Sequence, residues 1–482
     1  MTPPRQIDYR HKWRVMMAVG SGVFLATVDG SIINVSLPTL VRAFHTNFSV
    51  VQWVVLAYLL IITTSMLSIG RLADMVGKKT IYLLGFIIFT LGSVLCGTAQ
   101  SVQWLIGCRV IQACGAAMIM ALGAAIVTEA FPPRERGKAM GIIGTIVSMG
   151  IVLGPALGGL IIETLSWRWI FYVNLPAGIM GTLMVARNVP DYRPRGRQQF
   201  DYRGAAALFG SLFLIMMGLT MGQQRGFNLP WVWWLLGLGL LLLALFILIE
   251  QRVAQPMIDP GIFKNSLLSV SLATGFISFI GLGGTGILIP FYLENILQFK
   301  PIHVGLLMGI VPVMLGICAP ISGSLSDRVG TRPLAILGLA VMCLGYLAAS
   351  TFSADTGSWG YVIRIFAVGT GIGIFISPNN SSIMGTARRR HLGIVSGLMA
   401  ETRTMGQIVG VSLLGAIWAG RTAYHAGTHL AGGATLAPVP AQISALNETF
   451  RVAAFLLGSA LAMGVWALFK ESRQPPTPRQ AS

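Results

Sequence analysis

At 482 residues the chain could hold about three soluble domains of ~150 residues each, but 54% hydrophobic and only 10% charged residues leave too little polar surface to cover them. The mean hydropathy of +0.73 and five cysteines that all lie within apolar runs also exclude a disordered, fibrous or disulfide-stapled secreted chain. The formal net charge of +18 suggests a nucleic-acid partner only until the basic residues are placed along the sequence.

A helix needs about 20 apolar residues to cross ~30 Å of hydrocarbon. Runs of that kind recur near 14–38, 50–70, 80–99, 102–127, 138–162, 169–186, 204–222, 230–250, 266–290, 303–325, 333–352, 358–382, 393–419 and 449–469. The pattern predicts an all-α polytopic membrane protein of fourteen spans, because the runs are too long and lack the alternation of a barrel wall. No cleavable signal peptide is expected, since the polar stretch Met1–Arg14 leads straight into a full-length span. With the N-terminus placed in the cytoplasm, 25 Lys and Arg fall on the cytoplasmic side. Six fall outside (Arg42, Arg168, Arg225, Lys300, Arg421 and Arg451), and three lie within spans (Arg109, Arg364 and Arg403). This asymmetry is the positive-inside pattern. It predicts a multi-pass protein of the cytoplasmic (inner) membrane with both termini cytoplasmic. The charge then orients the chain in a lipid bilayer, and no nucleic-acid partner is expected.

An internal repeat sets the organisation. Gly70-Arg-Leu-Ala-Asp74-Met-Val-Gly77-Lys78-Lys79 follows the second span, and Gly323-Ser-Leu-Ser-Asp327-Arg-Val-Gly330-Thr-Arg332 follows the tenth, so Asp74 and Asp327 stand 253 residues apart. Pro38 and Pro290, Arg109 and Arg364, and the Gly150/Gly154 and Gly406/Gly410 pairs repeat at nearly the same offset. The chain therefore divides into a cytoplasmic tail (1–13), a six-helix half (14–190), a linker with two inserted helices (191–265), a second six-helix half (266–470) and a tail (471–482). Two parallel halves about an axis along the membrane normal are a transporter architecture.

These motifs resemble the major facilitator superfamily, and within it the fourteen-helix drug:proton antiporter branch of the EmrB/QacA type. The Gly70–Lys79 hairpin is similar to the superfamily's loop signature. Ala26-Thr-Val-Asp29-Gly-Ser-Ile-Ile-Asn34-Val-Ser-Leu-Pro38 resembles the branch's first-helix motif, and Arg109-Val-Ile-Gln112-Ala-Cys-Gly115 its fourth-helix motif, with Ala113 where Gly is usual. Gly150-Ile-Val-Leu-Gly154-Pro155-Ala-Leu-Gly158-Gly159 resembles the antiporter motif of the fifth helix. Trp167–Pro176 and Phe200–Gly204 are further branch-like segments. The resemblance implies a major-facilitator fold that exchanges protons for amphipathic or cationic organic compounds by alternating access.

Asp29 lies about 22 Å along the first span. It reads either as a proton-coupling or cation-contacting carboxylate, or as a polar residue capping a kink or lining a wet crevice. Arg109 enters its span from the opposite side to a similar depth, so the two could share one field. The competing reading is a structural arginine bonding backbone carbonyls, which Arg364 at the equivalent position favours. Glu401 is either a second proton or cation site or an acid satisfied by a neighbouring helix. Its neighbour Arg403 is two residues on and so faces elsewhere. Gly70, Asp74, Gly77, Lys78, Asp327 and Gly330 read as a conformational latch at helix ends, against a generic solvated hairpin. Gly150, Gly154, Pro155, Gly158 and Gly159 permit close helix approach and a bend, and the resemblance gives them the role of limiting leakage. Glu129 reads as interfacial structure. Trp53, Tyr58, Met118, Phe276, Tyr292 and Met314 are candidate cavity linings for flat lipophilic solutes. His425 and His429 have the spacing of a metal pair but no acid or cysteine beside them, so no metal is expected. No phosphate loop or nucleophile constellation is present, so neither an enzyme nor a cofactor is predicted. The expected function is proton-coupled efflux. The alternatives are export of an endogenous metabolite, lipid or siderophore, or a non-transporting sensor on the same fold. The expected partners are protons and a small organic solute; the sequence identifies no periplasmic adaptor or outer-membrane channel.

Overall fold

The computed structural model describes residues 11–132, 135–190, 201–225, 229–253, 265–386, 392–427 and 434–472. The first half comprises α1 (Lys12–Ala43), α2 (Phe48–Val76), α3 (Lys78–Gly97), α4 (Val102–Ala130), α5 (Arg136–Thr164), and a sixth crossing broken at Val173 into α6 (Trp169–Tyr172) and α7 (Asn174–Asn188). The inserted pair is α8 (Tyr202–Arg225) and α9 (Pro230–Glu250). The second half begins with α10 (Ser266–Phe291), continued by a π-helical turn at Tyr292–Ile296. The next crossing is split at Gly309 into α11 (Pro301–Met308) and α12 (Ile310–Val329). It is followed by α13 (Thr331–Ala349), α14 (Ser358–Thr386), α15 (Leu392–Ala426) and α16 (Val439–Ser472).

Each of the fourteen anticipated spans falls on helical structure, and thirteen of them are long and apolar enough to traverse a membrane by length and composition. The remaining one, α15, has 35 residues, but Glu401-Thr-Arg-Thr404 and Gln407 interrupt its apolar run. Local sequence sets many of the helix starts. Asn47 and Ser101 each accept the backbone N–H three residues on, at 3.0 and 3.2 Å, which satisfies an orphan donor of the first turn. Pro230 and Pro301 stand in first turns, where the missing N–H costs nothing. The largest boundary difference from the sequence reading is in α16, which starts at Val439 rather than 449. Its polar first turns are held by pairing, with Glu448 bound to Arg421 and the Asn447 amide donating to the Phe352 carbonyl.

The two halves reuse the same local devices. Gly77 and Gly330 each end one helix and begin the next, at φ 116° and 98°. In each turn the glycine N–H donates at 2.9 Å to a carbonyl four residues back, in Ala73 or Ser326. Gly85 and Gly92 bring α3 against α4, and Gly338 and Gly345 bring α13 against α14. Only glycine adopts the joint conformation without strain. Gly77→Ala or Gly330→Ala is therefore expected to lose about 1–3 kcal/mol. Gly70→Ala, inside α2 with open space around it, should be neutral or gain up to ~1 kcal/mol. Thermal unfolding of the purified variants in detergent checks the contrast.

The inserted helices form a hairpin that packs on α2 and α15, one from each half. Most of the side chains of α9 face outward, including Trp233, Trp234 and Leu241, as expected for a lipid-facing helix.

Candidate functional site

The first half buries an ion pair in its centre. Arg109 Nη1 donates to Asp29 Oδ2 at 2.6 Å, and both side chains are at most 1% exposed. Asp29 Oδ1 accepts from Gln112 Nε2 and Asn174 Nδ2, each at 2.8 Å. The same two amides donate to Ser93 Oγ at 2.6 and 3.2 Å, and Gln112 Oε1 accepts a second bond from Arg109 Nη1 at 2.8 Å. The Arg109 Nε–H reaches the Val54 carbonyl at 3.3 Å, and the guanidinium carbon lies 3.9 Å from the centre of the Tyr58 ring. Five helices (α1, α2, α3, α4 and α7) therefore converge on one carboxylate. Arg109, Gln112 and Asn174 all donate, so both carboxylate oxygens are bonded. Arg109 and Gln112 are three residues apart and share one face of α4.

The second half does not repeat this centre. Gly281 stands at the position equivalent to Asp29, and a Cβ there would lie 2.9 Å from Tyr346 Oη. That phenol occupies the space and shares a 2.7 Å hydrogen bond with Thr285. Arg364 bonds locally instead, to Thr351 Oγ1 and to the Gly360 carbonyl. Both arginines donate to a backbone carbonyl, Arg364 to that of Gly360 and Arg109 to that of Val54, and Arg109 pairs with Asp29 as well.

Around the ion pair, α5 clamps α1. A Cβ at Gly150 would lie 2.9 Å from Thr27 Cβ, one at Gly154 would meet Ser31 Oγ, and one at Gly158 would lie 2.8 Å from Ile32 Cγ1. Pro155 and Gly159 continue the contact into the other half. A Cβ at Gly159 would lie 2.3 Å from the Pro301 carbonyl oxygen, and one at Gly305 would lie 2.2 Å from that of Pro155. On the face opposite the chain ends, here called the distal face, further contacts hold the halves together. Glu163 Oε2 accepts from the Ile302 N–H, and Phe48 packs edge-on against Phe291 and Trp418 at 5.0 and 4.9 Å. Arg42 pairs with the buried Glu294. Arg42 and Glu294 are 252 residues apart, as are Asn34 and Gly286, which also face each other. Equivalent positions of α1 and of α10 with its π-helical continuation thus meet, as they must beside a two-fold pseudo-axis.

The other sequence-selected residues scatter. Glu401 is buried, and neither carboxylate oxygen has a hydrogen-bond partner among the described residues. Lys78 pairs with Glu129, which ties α3 to the end of α4. The side chains of Asp74 and Asp327 lie outside the described residues. The six candidate cavity residues do not gather in one place. Tyr58 lies under Arg109, Met118 presses on Gly85, and Met314 on Gly369. Tyr292 stacks on Phe352 at 4.7 Å and donates to the Ser353 carbonyl. Trp53 and Phe276 pack half-buried against the main apolar core. His429 lies outside the described residues, and His425 contacts Glu448 at 3.1 Å. No group of three or more potential metal ligands occurs among the described residues. Sequence reading missed the roles of Ser93, Gln112 and Asn174. Their signal was a polar amide or hydroxyl inside an apolar span, and two of them lay in motifs already noted.

The chain matches the Major Facilitator Superfamily model over residues 19–411 and again over 271–482. It is 34% identical to the riboflavin transporter RibZ of Clostridioides difficile (strain 630) over 86% of this chain and 90% of that protein. With the multidrug resistance protein Stp of Mycobacterium tuberculosis (strain CDC 1551 / Oshkosh) it shares 31% identity over 84% and 75%. Among solved structures it resembles a bacterial homologue of the human lysosomal transporter Spinster in an inward-facing, unoccupied conformation. The TM-score is 0.66 and the identity 18%, over 97% of this chain and 99% of that one. The protein is a multi-pass membrane transporter belonging to the Major Facilitator Superfamily.

Proposed function

We propose that this transporter expels amphipathic organic compounds across the cytoplasmic membrane in exchange for protons, with Asp29 as the proton carrier and both termini cytoplasmic. The observation that carries the reading is the sealed contact between Asp29 and Arg109. An ionised acid at this depth costs several kcal/mol unless it is paired. Proton loading therefore requires Arg109 to let go, which only a rearrangement of α1 against α4 can bring about. With the distal face closed, Asp29 is engaged. When that face opens, α1 moves with it, and the carboxylate becomes accessible to protons from outside. Proton entry down the membrane potential supplies ~2.3 kcal/mol per charge per 100 mV. Multidrug and flavin transport among similar chains supports an organic cargo. The second reading, export of an endogenous metabolite, rests on the likeness to the riboflavin transporter and uses the same coupling.

The test is uptake of a compound panel into inverted vesicles with and without an imposed pH gradient. Asp29→Asn is expected to lower gradient-driven uptake at least tenfold while leaving counterflow of unlabelled against labelled solute largely intact. Gradient-driven uptake at the wild-type rate in this variant would remove Asp29 from the coupling step.

A further inference from the structure

The charged residues of the membrane interior differ in how fully they are bonded. Arg109 is engaged by Asp29, Gln112 and the Val54 carbonyl. Near the opposite end of the fold, Arg332 is bonded to Ser271 Oγ, the Leu267 carbonyl and Glu471. Arg403 has none of this. It stands ~16 Å along α15 from Leu392, with its guanidinium carbon 5.6 Å from the centre of the Phe279 ring. Among the described residues it makes no hydrogen bond and no ion pair. Glu401 is two positions away on the same helix, and residues so spaced face different directions.

Arg403 lines a narrow cleft between α10, α14 and α15, together with Phe279, Phe375, Asn379, Asn380 and Thr402. The Asn379 amide is tied to the Ser271 carbonyl at 3.1 Å, and the Thr402 hydroxyl to its own helix. The Asn380 amide has no hydrogen-bond partner among the described residues and is free to donate. An arginine inside a membrane helix bundle faces a wet cavity or a partner, and such residues mark solute and ion paths. A guanidinium's planar fork matches the two oxygens of a carboxylate or sulfonate, and Phe279 and Phe375 line the cleft beside it.

We propose that the α10–α14–α15 cleft is a subsite for the acidic group of an aromatic solute, with Arg403 as its counter-ion and Asn380 as a second donor. The inference rests on the exporter reading above and narrows its cargo to amphipathic acids in place of cations. The division of labour follows the asymmetry of the halves. The first half holds the carboxylate that takes a proton, and the second presents an unpaired cation to the solute.

The test compares two probes with the same ring and opposite charge, 2-naphthoate and 2-naphthylmethylammonium, binding to the purified full-length protein in phosphatidylcholine nanodiscs. The wild type is expected to bind the acid at least about tenfold tighter than the amine, as a charge-assisted contact implies. Arg403→Gln should abolish that preference, Arg403→Lys should keep part of it, and Asn380→Ala should weaken the acid about threefold. Thermal unfolding of each variant checks that it is folded, and Arg403→Lys and Asn380→Ala remain informative if Arg403→Gln is not. Four results would overturn the proposal: no binding of the acid, equal affinity for both probes, an acid preference that survives Arg403→Gln, or acid binding that vanishes when phosphatidylglycerol is added. The last would assign the cleft to a lipid headgroup. Arg403-dependent binding without gradient-driven naphthoate uptake would sink proton exchange and leave the subsite standing. Gradient-driven uptake indifferent to Arg403 would do the reverse.

Discussion

Arg109→Ala is expected to cost about 3–5 kcal/mol of stability, because it strands Asp29 as a buried charge without its cation. Arg109→Lys should recover part of this. An ammonium restores the charge but cannot hold Asp29, Gln112 and the Val54 carbonyl in one fixed geometry. The double variant Asp29→Asn with Arg109→Gln removes both charges and should be more stable than either Arg109→Ala or Arg109→Gln alone. This is the non-additivity expected of residues in direct contact. Reversible unfolding in mixed micelles measures all of these. Arg109→Ala within 1 kcal/mol of wild type would mean that the pair is neither buried nor coupled in the folded protein. The double variant also separates stability from transport, since it should fold well and still fail to respond to a pH gradient.

Gly159→Leu is expected to force the distal face open. The glycine leaves no room for a side chain, because a Cβ would lie 2.3 Å from the Pro301 carbonyl oxygen and 3.0 Å from Ile302 Cα. Those are backbone atoms of the other half, which cannot rotate aside as a side chain can, so α5 and α11 must separate. Gln52 is buried at the matching contact between α2 and α15, where it meets Gly415. It therefore serves as a reporter. In a background with the five cysteines replaced, Gln52→Cys should react with a membrane-impermeant maleimide at least tenfold faster once Gly159→Leu is added. Gly144→Leu on the same helix, where the space is open, should leave the rate unchanged. Equal labelling in the two would show that the α5–α11 contact does not hold the face shut.

The crossings were legible because bilayer thickness imposes a length on each apolar run, and local composition reports it. The shared depth of Asp29 and Arg109 was legible, since one helix enters from each side, while their contact also depends on how the two helices are rotated. The amides that complete the centre were not, because which faces of α3, α4 and α7 converge depends on helix rotation. That rotation is set by glycine contacts such as Gly92 against Gln112. The second half shows the same limit. Gly281 stands where the first half has Asp29, but nothing local indicated that Tyr346 would fill the space. The start of α16 was misplaced because Gln442, Asn447 and Glu448 look like a loop until their partners are known. The aromatic and methionine candidates failed to converge because such residues fill gaps between helices as readily as they line a cavity.

The pairing of Arg42 with Glu294 has a consequence for how such a chain can be assembled. In an isologous dimer each residue beside the two-fold axis meets its own copy. Two copies of the first half would set arginine against arginine there, and two copies of the second would set glutamate against glutamate. Either assembly would be repelled at the contact that closes the fused protein. The attraction exists only because the equivalent positions carry opposite charges, so each half is the specified partner of the other and neither is a building block for a homodimer.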